Sequence, residues 1–336
     1  MKKKAFILCM ALVWAATLMA QNIAVVYGND TDLYSTLKDA IEGATDGSVI
    51  YLPGGRFSIG DSVKITKNLT IIGIGHYLNN NEGNEDGYTR IEGNLWFNEN
   101  SSGSAVMACY ITGNVNIGEG DAIVNDFVIR YCNLNSVQVK NSACSGTTVN
   151  QNYVRESSHF CQSNSKVSNN VTGPIIDING GLIKNNIING YHGEGSAYTT
   201  IYARSIRANN SNIINNIILP NYGNAYNFKY SKIEGSDNAI DHNMSQTDVG
   251  ESPINIGEVG WDVVFVNYND GAISPLSNFH FKETYIEYEN QVGIYAGLNF
   301  NDKQLAPVPY IVDKQVASET DASGKLNIKI RVKASE

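Results

Sequence analysis

The chain has 336 residues, with 33 acidic side chains against 24 lysines and arginines and a formal net charge of −9. That balance argues against a nucleic-acid or anionic-membrane partner, because neutralising phosphate takes lysine and arginine.

In chain order, the first element is a leader, residues 1–20. Three lysines (Lys2 to Lys4) precede an uncharged apolar stretch from Ala5 to Ala20, and a small residue stands before Gln21. This is the layout of a secretory signal peptide, and the stretch is short for a membrane span. Cys9 lies inside the apolar run and not after it, which argues against a lipoprotein site. No later segment is long and apolar enough to cross a bilayer, so the expectation is an exported protein that is not integral to a membrane. Its destination is the periplasm, the outer surface or the medium. Without the leader the balance falls to −12, with 21 basic against 33 acidic residues. That is mildly unfavourable for gripping a polyanionic polysaccharide.

Residues 21–47 read as an N-terminal cap. Leu37, Ala40, Ile41 and Ala44 fall at i, i+3, i+4 and i+7, the spacing of an amphipathic helix. Gly47 ends it, "SVIYL" begins a strand, and Pro53-Gly54-Gly55 closes that strand.

From residue 48 a short pattern recurs: a polar or small residue, usually an asparagine, then an apolar residue. It appears as Cys109-Tyr110-Ile111, Cys132-Asn133-Leu134, Gln151-Asn152-Tyr153 and Asn169-Asn170-Val171. Asn185-Asn186-Ile187, Asn215-Asn216-Ile217 and His242-Asn243-Met244 continue it. The middle positions step by 23, 19, 18, 16, 30 and 27 residues. Variable spacing excludes a strict array and suits a solenoid whose coils keep their strands and vary their loops. Stacked coils bring equivalent asparagines about 4.8 Å apart, where side-chain amides can pair as a ladder. The pattern predicts an all-β fold, a parallel β-helix over residues 48–300, with Asn133, Asn152, Asn170 and Asn186 stacked.

Four cysteines follow the leader: Cys109, Cys132, Cys144 and Cys161. Their spacing is no zinc pattern. Two readings stand level: disulfides Cys109–Cys132 and Cys144–Cys161, which export permits, or stacked buried thiols. Residues 301–336 hold two alternating runs around Asp321-Ala322-Ser323-Gly324, a hairpin by turn chemistry. It reads as a terminal cap or an anchoring tail.

"DAI" (Asp39 to Ile41), "GSVIYLPGGRF" (Gly47 to Phe57) and "NLTIIGIG" (Asn68 to Gly75) resemble the N-terminal cap and first coils of the pectin-lyase-like superfamily. The asparagine-rich coils extend the likeness. "VFVNYNDGAISP" (Val264 to Pro275) with "VGIYAG" (Val292 to Gly297) is similar to a closing element of many bacterial members. The resemblance implies a right-handed parallel β-helix with an N-terminal helix cap. It leaves function open, because the superfamily spans lyases, hydrolases, epimerases, tailspikes and adhesins.

Catalytic motifs of the superfamily do not transfer. Its polygalacturonase-like members use paired aspartates, yet this chain has no Asp-Asp, and Gly120 to Ile123 supplies one aspartate only. Gly190 to Gly195 resembles a Gly-His-Gly element with Tyr191 interposed. Lyase-like members need acids for calcium and a basic residue to remove a proton; Asp177, Glu194, Arg204 and Arg207 lie on consecutive coils and could converge, or be scattered solvated charges. The run Asn79 to Gly87 has calcium-friendly oxygens but fails EF-hand spacing.

The longest step, between Asn186 and Asn216, carries Tyr191, His192, Glu194, Tyr198, Tyr202 and Arg204. Aromatic rings offer flat faces to sugars, and Arg and His can bond hydroxyls. These six are the candidate glycan-binding residues; packing of the tyrosines on the coil wall is the competing reading. The functional expectation is an exported, monomeric β-helix that binds a polysaccharide or surface glycan as an adhesin-like module without cleaving it. A polysaccharide lyase or glycoside hydrolase with a divergent site is the alternative. No cofactor or metal is expected, calcium being the one weak candidate.

Overall fold

Runs such as Val137-Gln138-Val139 and Val149-Asn150 hold too few apolar residues to form a core alone, so each must stack on copies of itself. The computed structural model shows how. It describes residues 23–76, 88–189, 205–219, 233–257, 259, 261–268, 277–297 and 300, and the backbone of 310–320 and 326–333. The candidate residues Tyr191, His192, Glu194, Tyr198, Tyr202 and Arg204 and the leader lie outside the described residues.

The chain winds as a solenoid with three parallel faces. The first face stacks Val49–Tyr51, Thr70–Ile72, Ala105–Met107, Val128–Arg130, Thr148–Asn150, Lys166–Ser168, Leu182–Lys184, Asn212–Ile214 and Ala239–Asp241 in parallel register. The second stacks Tyr110–Ile111, Asn133–Leu134, Tyr153–Val154, Val171–Thr172, Ile187–Asn189, Ile217–Leu219, Met244–Ser245 and Ile254–Asn255. The third stacks Val115–Ile117, Val137–Val139, Ser158–Phe160, Ile175–Asn179, Ile206–Asn209 and Ile233–Glu234. The long paired strands Gly55–Ile65 and Thr89–Phe97 run through the second and third faces without a break.

Inward columns of stacked side chains fill the interior. Ile50, Ile71, Val106, Ile129, Val149, Val167, Ile183 and Ile213 are all buried on the first face. Leu95, Val115, Val137 and Phe97, Ile117, Val139, Phe160 do the same on the third. The expected helix forms over Leu37–Gly43, capped by the Thr36 hydroxyl accepting from the Asp39 amide at 3.1 Å. Leu37, Ala40 and Ile41 turn inward and close the end of the core. The cap also carries antiparallel strands Ile23–Tyr27 and Asp30–Tyr34, which extend the first face.

The corner between first and second faces explains the doubled asparagines. Its first residue is left-handed in every coil from the third onward: Ala108, Tyr131, Gln151, Asn169, Asn185, Asn215 and His242, with φ between 52° and 57°. Asparagine tolerates that conformation. The second residue points inward, and here the sequence reading needs correcting. Cys109 and Cys132 hold the positions equivalent to Asn152, Asn170, Asn186, Asn216 and Asn243, whereas Asn133 sits one residue on and faces outward. The ladder therefore has five asparagines and two thiols.

Within it, each Nδ2 donates to the next Oδ1: Asn152 to Asn170 at 3.0 Å, Asn170 to Asn186 at 3.0 Å, Asn186 to Asn216 at 2.9 Å and Asn216 to Asn243 at 2.9 Å. Each also donates to a backbone carbonyl of the coil before, as Asn170 does to Val149 O at 2.9 Å. Every donor is satisfied, so the cost of desolvating each amide is offset by its hydrogen bonds. Cys109, Cys132, Cys144 and Cys161 are free thiols, the first three buried and Cys161 exposed.

The outer side of the second face is covered as well. The described segments 261–268 and 277–297 fold back over it, and Trp261, Val264, Phe265, Phe279, Phe281, Val292 and Ile294 pack on Tyr153, Val171, Ile187, Ile217 and Met244. This is why Ile187-Ile188 and Ile217-Ile218 come in pairs: one of each faces the interior and the other faces the cover. The outward left-handed asparagines hold the cover's backbone. Asn169 Nδ2 donates to Ile294 O at 3.0 Å, Asn185 Nδ2 to Ala296 O at 2.6 Å, and Gly293 N to Asn215 O at 2.8 Å.

Candidate functional site

The third face is a long wall on which the cover does not pack. Its outward column is set by register, one side chain per coil: Lys64, Trp96, Asn116, Gln138, His159, Ile176, Arg207 and Glu234. Each of these residues follows an inward apolar or small residue, and strand alternation turns it to the outer side, where Asn116 and Ile176 are nonetheless buried by their neighbours. The spacing of about 4.8 Å between coils is close to the rise of one pyranose in an extended chain.

Toward its far end the wall runs through Ile206 and Arg207, which pair with Ile233 and Glu234.

At that end the backbone is irregular. The pairing of Ile175–Asn179 with Ile206–Asn209 shifts register between Ile176 and Ile178, leaving Asp177 as an extra residue at φ 66°. Bulges and left-handed non-glycine residues inside strands concentrate at functional sites, because they re-aim a side chain at a cost in strain. Here the bulge turns the Asp177 carboxylate outward onto Arg207, whose Nε and Nη2 donate to Oδ1 and Oδ2, each at 2.6 Å. The carboxylate holds the Arg207 guanidinium pKa above its ordinary value, chiefly through this hydrogen bond.

His159 stands on the neighbouring coil within the field of Asp177, Arg207 and Lys140. Burial is the largest influence on it and lowers its pKa, which favours the neutral ring, while Asp177 acts the other way. Further along, Gln138 Nε2 donates to the Ser136 hydroxyl at 2.9 Å and to Ser157 O at 3.3 Å. These bonds fix the amide plane and leave its oxygen toward solvent. Trp96 lies beyond Asn116, half-buried between it and Lys64.

Of the charges expected to converge, Asp177 and Arg207 meet, while Glu194 and Arg204 lie outside the described residues. Sequence reasoning missed Trp96, Gln138 and His159. Their signal was present in Leu95-Trp96-Phe97, Val137-Gln138-Val139 and Ser158-His159-Phe160, a polar or aromatic residue held between buried ones. Among the described residues no group of three or more His, Cys, Asp or Glu side chains could hold a metal ion. None of their helices is long and apolar enough to cross a membrane.

No family model, curated protein or solved structure matches this chain.

Proposed function

We propose that the chain is an exported right-handed β-helix of the pectin-lyase-like kind, a monomer that binds a polysaccharide or surface glycan along its third face. The observation that carries this reading is the outward column itself. A tryptophan, two amides, an imidazole and a paired arginine repeat at sugar-like spacing on a rigid wall. Trp96 offers an apolar face to sugar C–H groups, and Gln138, whose amide N–H groups are taken by Ser136 and Ser157, keeps its amide oxygen as an acceptor for hydroxyls. Binding needs no cofactor in this account, and the leader would direct the chain to the periplasm, the outer surface or the medium.

A second reading, cleavage by a lyase or hydrolase, is favoured by one feature: a neutral His159 beside the strained Asp177–Arg207 pair. A neutral imidazole can accept a proton, and perturbed groups beside a bulge are a common signature of catalysis.

Incubation with a panel of polysaccharides, with and without calcium, separates the two. Retention of one polysaccharide without new reducing ends or unsaturated products supports the binding module. Product formation that disappears in His159→Ala supports cleavage, and neither retention nor product sinks both.

A further inference from the structure

The bulge at Asp177 decides the charge of the third face where Arg207 stands. It holds an aspartate at φ 66° inside a strand, and the carboxylate it turns outward meets Arg207 through two bonds of 2.6 Å. A residue in that conformation persists only where the surrounding structure enforces it. Its effect is to cancel the charge of a guanidinium without hiding its donors. Arg207 and Asp177 keep 35 and 36 % of their side chains exposed. A guanidinium has five N–H groups, and the bonds to Asp177 use one on Nε and one on Nη2, so the fork still holds three for hydroxyls.

The other cations of this wall also stand beside acids. Lys64 lies 3.6 Å from Glu99, with both side chains more than half exposed. Lys140, exposed at the margin of the face one coil from Cys161, bonds through its backbone to the coil before it, where Glu119 and Asp121 are exposed. Glu234 follows Arg207 in the outward column. A polyuronate carries one carboxylate per sugar, and along this wall each would meet a neutral side chain, an acid, or a cation that already has its acid. Hydroxyl groups meet no such penalty, because the Asp177–Arg207 pair donates and accepts while remaining neutral as a unit.

From this geometry we infer that the ligand of the third face is an uncharged polysaccharide in extended form, and that Asp177 sets this choice by cancelling Arg207. The inference rests on the glycan reading of this face. Five register steps lead from Trp96 through Asn116, Gln138, His159 and Ile176 to Arg207, a run of about 24 Å at the strand spacing of about 4.8 Å. An extended chain follows such a run, whereas a coiled one leaves it.

The test is binding of the full chain, Asp177→Asn and Trp96→Ala to immobilised xylan, mannan, β-glucan, polygalacturonate and alginate, at low and at high salt. The intact chain should bind one of the three neutral polymers and neither polyuronate, with an affinity that changes less than about twofold with salt, since no ion pair to the ligand is screened. Asp177→Asn frees the guanidinium and should bind polygalacturonate at least about tenfold tighter than the intact chain does, in a salt-sensitive way. A merely structural role for Asp177 gives loss without that gain. A variant that keeps the melting temperature of the intact chain and gains no polyuronate binding overturns the role of Asp177. If Asp177→Asn does not fold, the intact chain decides, and an affinity that falls about tenfold with salt overturns the inference. Preference of the intact chain for a polyuronate, lost in Trp96→Ala, overturns this inference and leaves the glycan reading standing. Binding to none of the five polymers overturns both.

Discussion

At the scale of single residues, the ladder asparagine is defined by four hydrogen bonds. Asn170 accepts from the Asn152 backbone at 2.8 Å and side chain at 3.0 Å, and donates to Val149 O and Asn186 Oδ1. Asn170→Leu keeps the branched shape, with bulkier methyl groups, and strands all of those partners, so urea unfolding should show a loss of about 3 kcal/mol. Cys132 is the informative contrast. Its amide already donates to Asn152 Oδ1 at 2.8 Å, but its thiol offers that oxygen nothing more. Cys132→Asn adds the missing donor and should be neutral or stabilising by up to about 1 kcal/mol; a large loss would show that the corner there is not a ladder position. The thiols themselves carry a pH signature. Burial pushes the Cys132 thiol up to about 12 and Cys109 well above its usual range. Unfolded thiols ionise near 9 and the folded ones do not, so stability should decline as pH rises above about 9, by up to about 1.4 kcal/mol per unit for each thiol. Below that pH only Cys161 should react with iodoacetamide in the native protein. A native protein with no reactive thiol, and no free thiols on unfolding, would favour disulfides. The sequence made the asparagine repeat plain but could not register it through the cysteine coils. The left-handed corner residue that sets the register is alanine or tyrosine there, with no turn signature of its own.

At the scale of elements, the cover built by residues 261–268 and 277–297 shows what a sequence hides. The helix at Leu37–Gly43 was legible because its apolar spacing is periodic and local. The pairing of Ile187 with the cover was not, since the contact spans about a hundred residues and nothing local distinguishes an outward isoleucine from an inward one. The doubled asparagines were noticed, but the first of each pair has a different duty from the second: it bonds the cover, not the ladder. Gly293 is the tightest point. Its φ is 77°, and a Cβ there would stand 2.5 Å from Ile217 Cδ1. Gly293→Ala should therefore loosen the cover at a cost of about 1–3 kcal/mol, seen as faster hydrogen exchange over 291–297 with the coil amides unchanged. Exchange that stays slow throughout would mean that the cover is not held at this corner.

At the scale of the whole molecule, a stack of coils is rigid along its length and presents every wall as a ruled surface. The cover packs on the second face, and the third carries the Trp96, Gln138, His159 and Arg207 column, which the glycan reading takes as the wall for a linear ligand. The parallel solenoid was readable from the repeat. The third-face wall was not, because the eye goes to long aromatic loops, whereas Trp96, Gln138 and His159 each occupy a single position in an ordinary strand. The most direct test of the glycan reading is calorimetric titration of the polysaccharide retained best in the panel, using the intact chain and Trp96→Ala. The account predicts binding weakened about three- to tenfold in Trp96→Ala, the loss of one aromatic contact of about 0.5–1.5 kcal/mol, with the coil's melting temperature nearly unchanged. Equal affinity in the two proteins would contradict it.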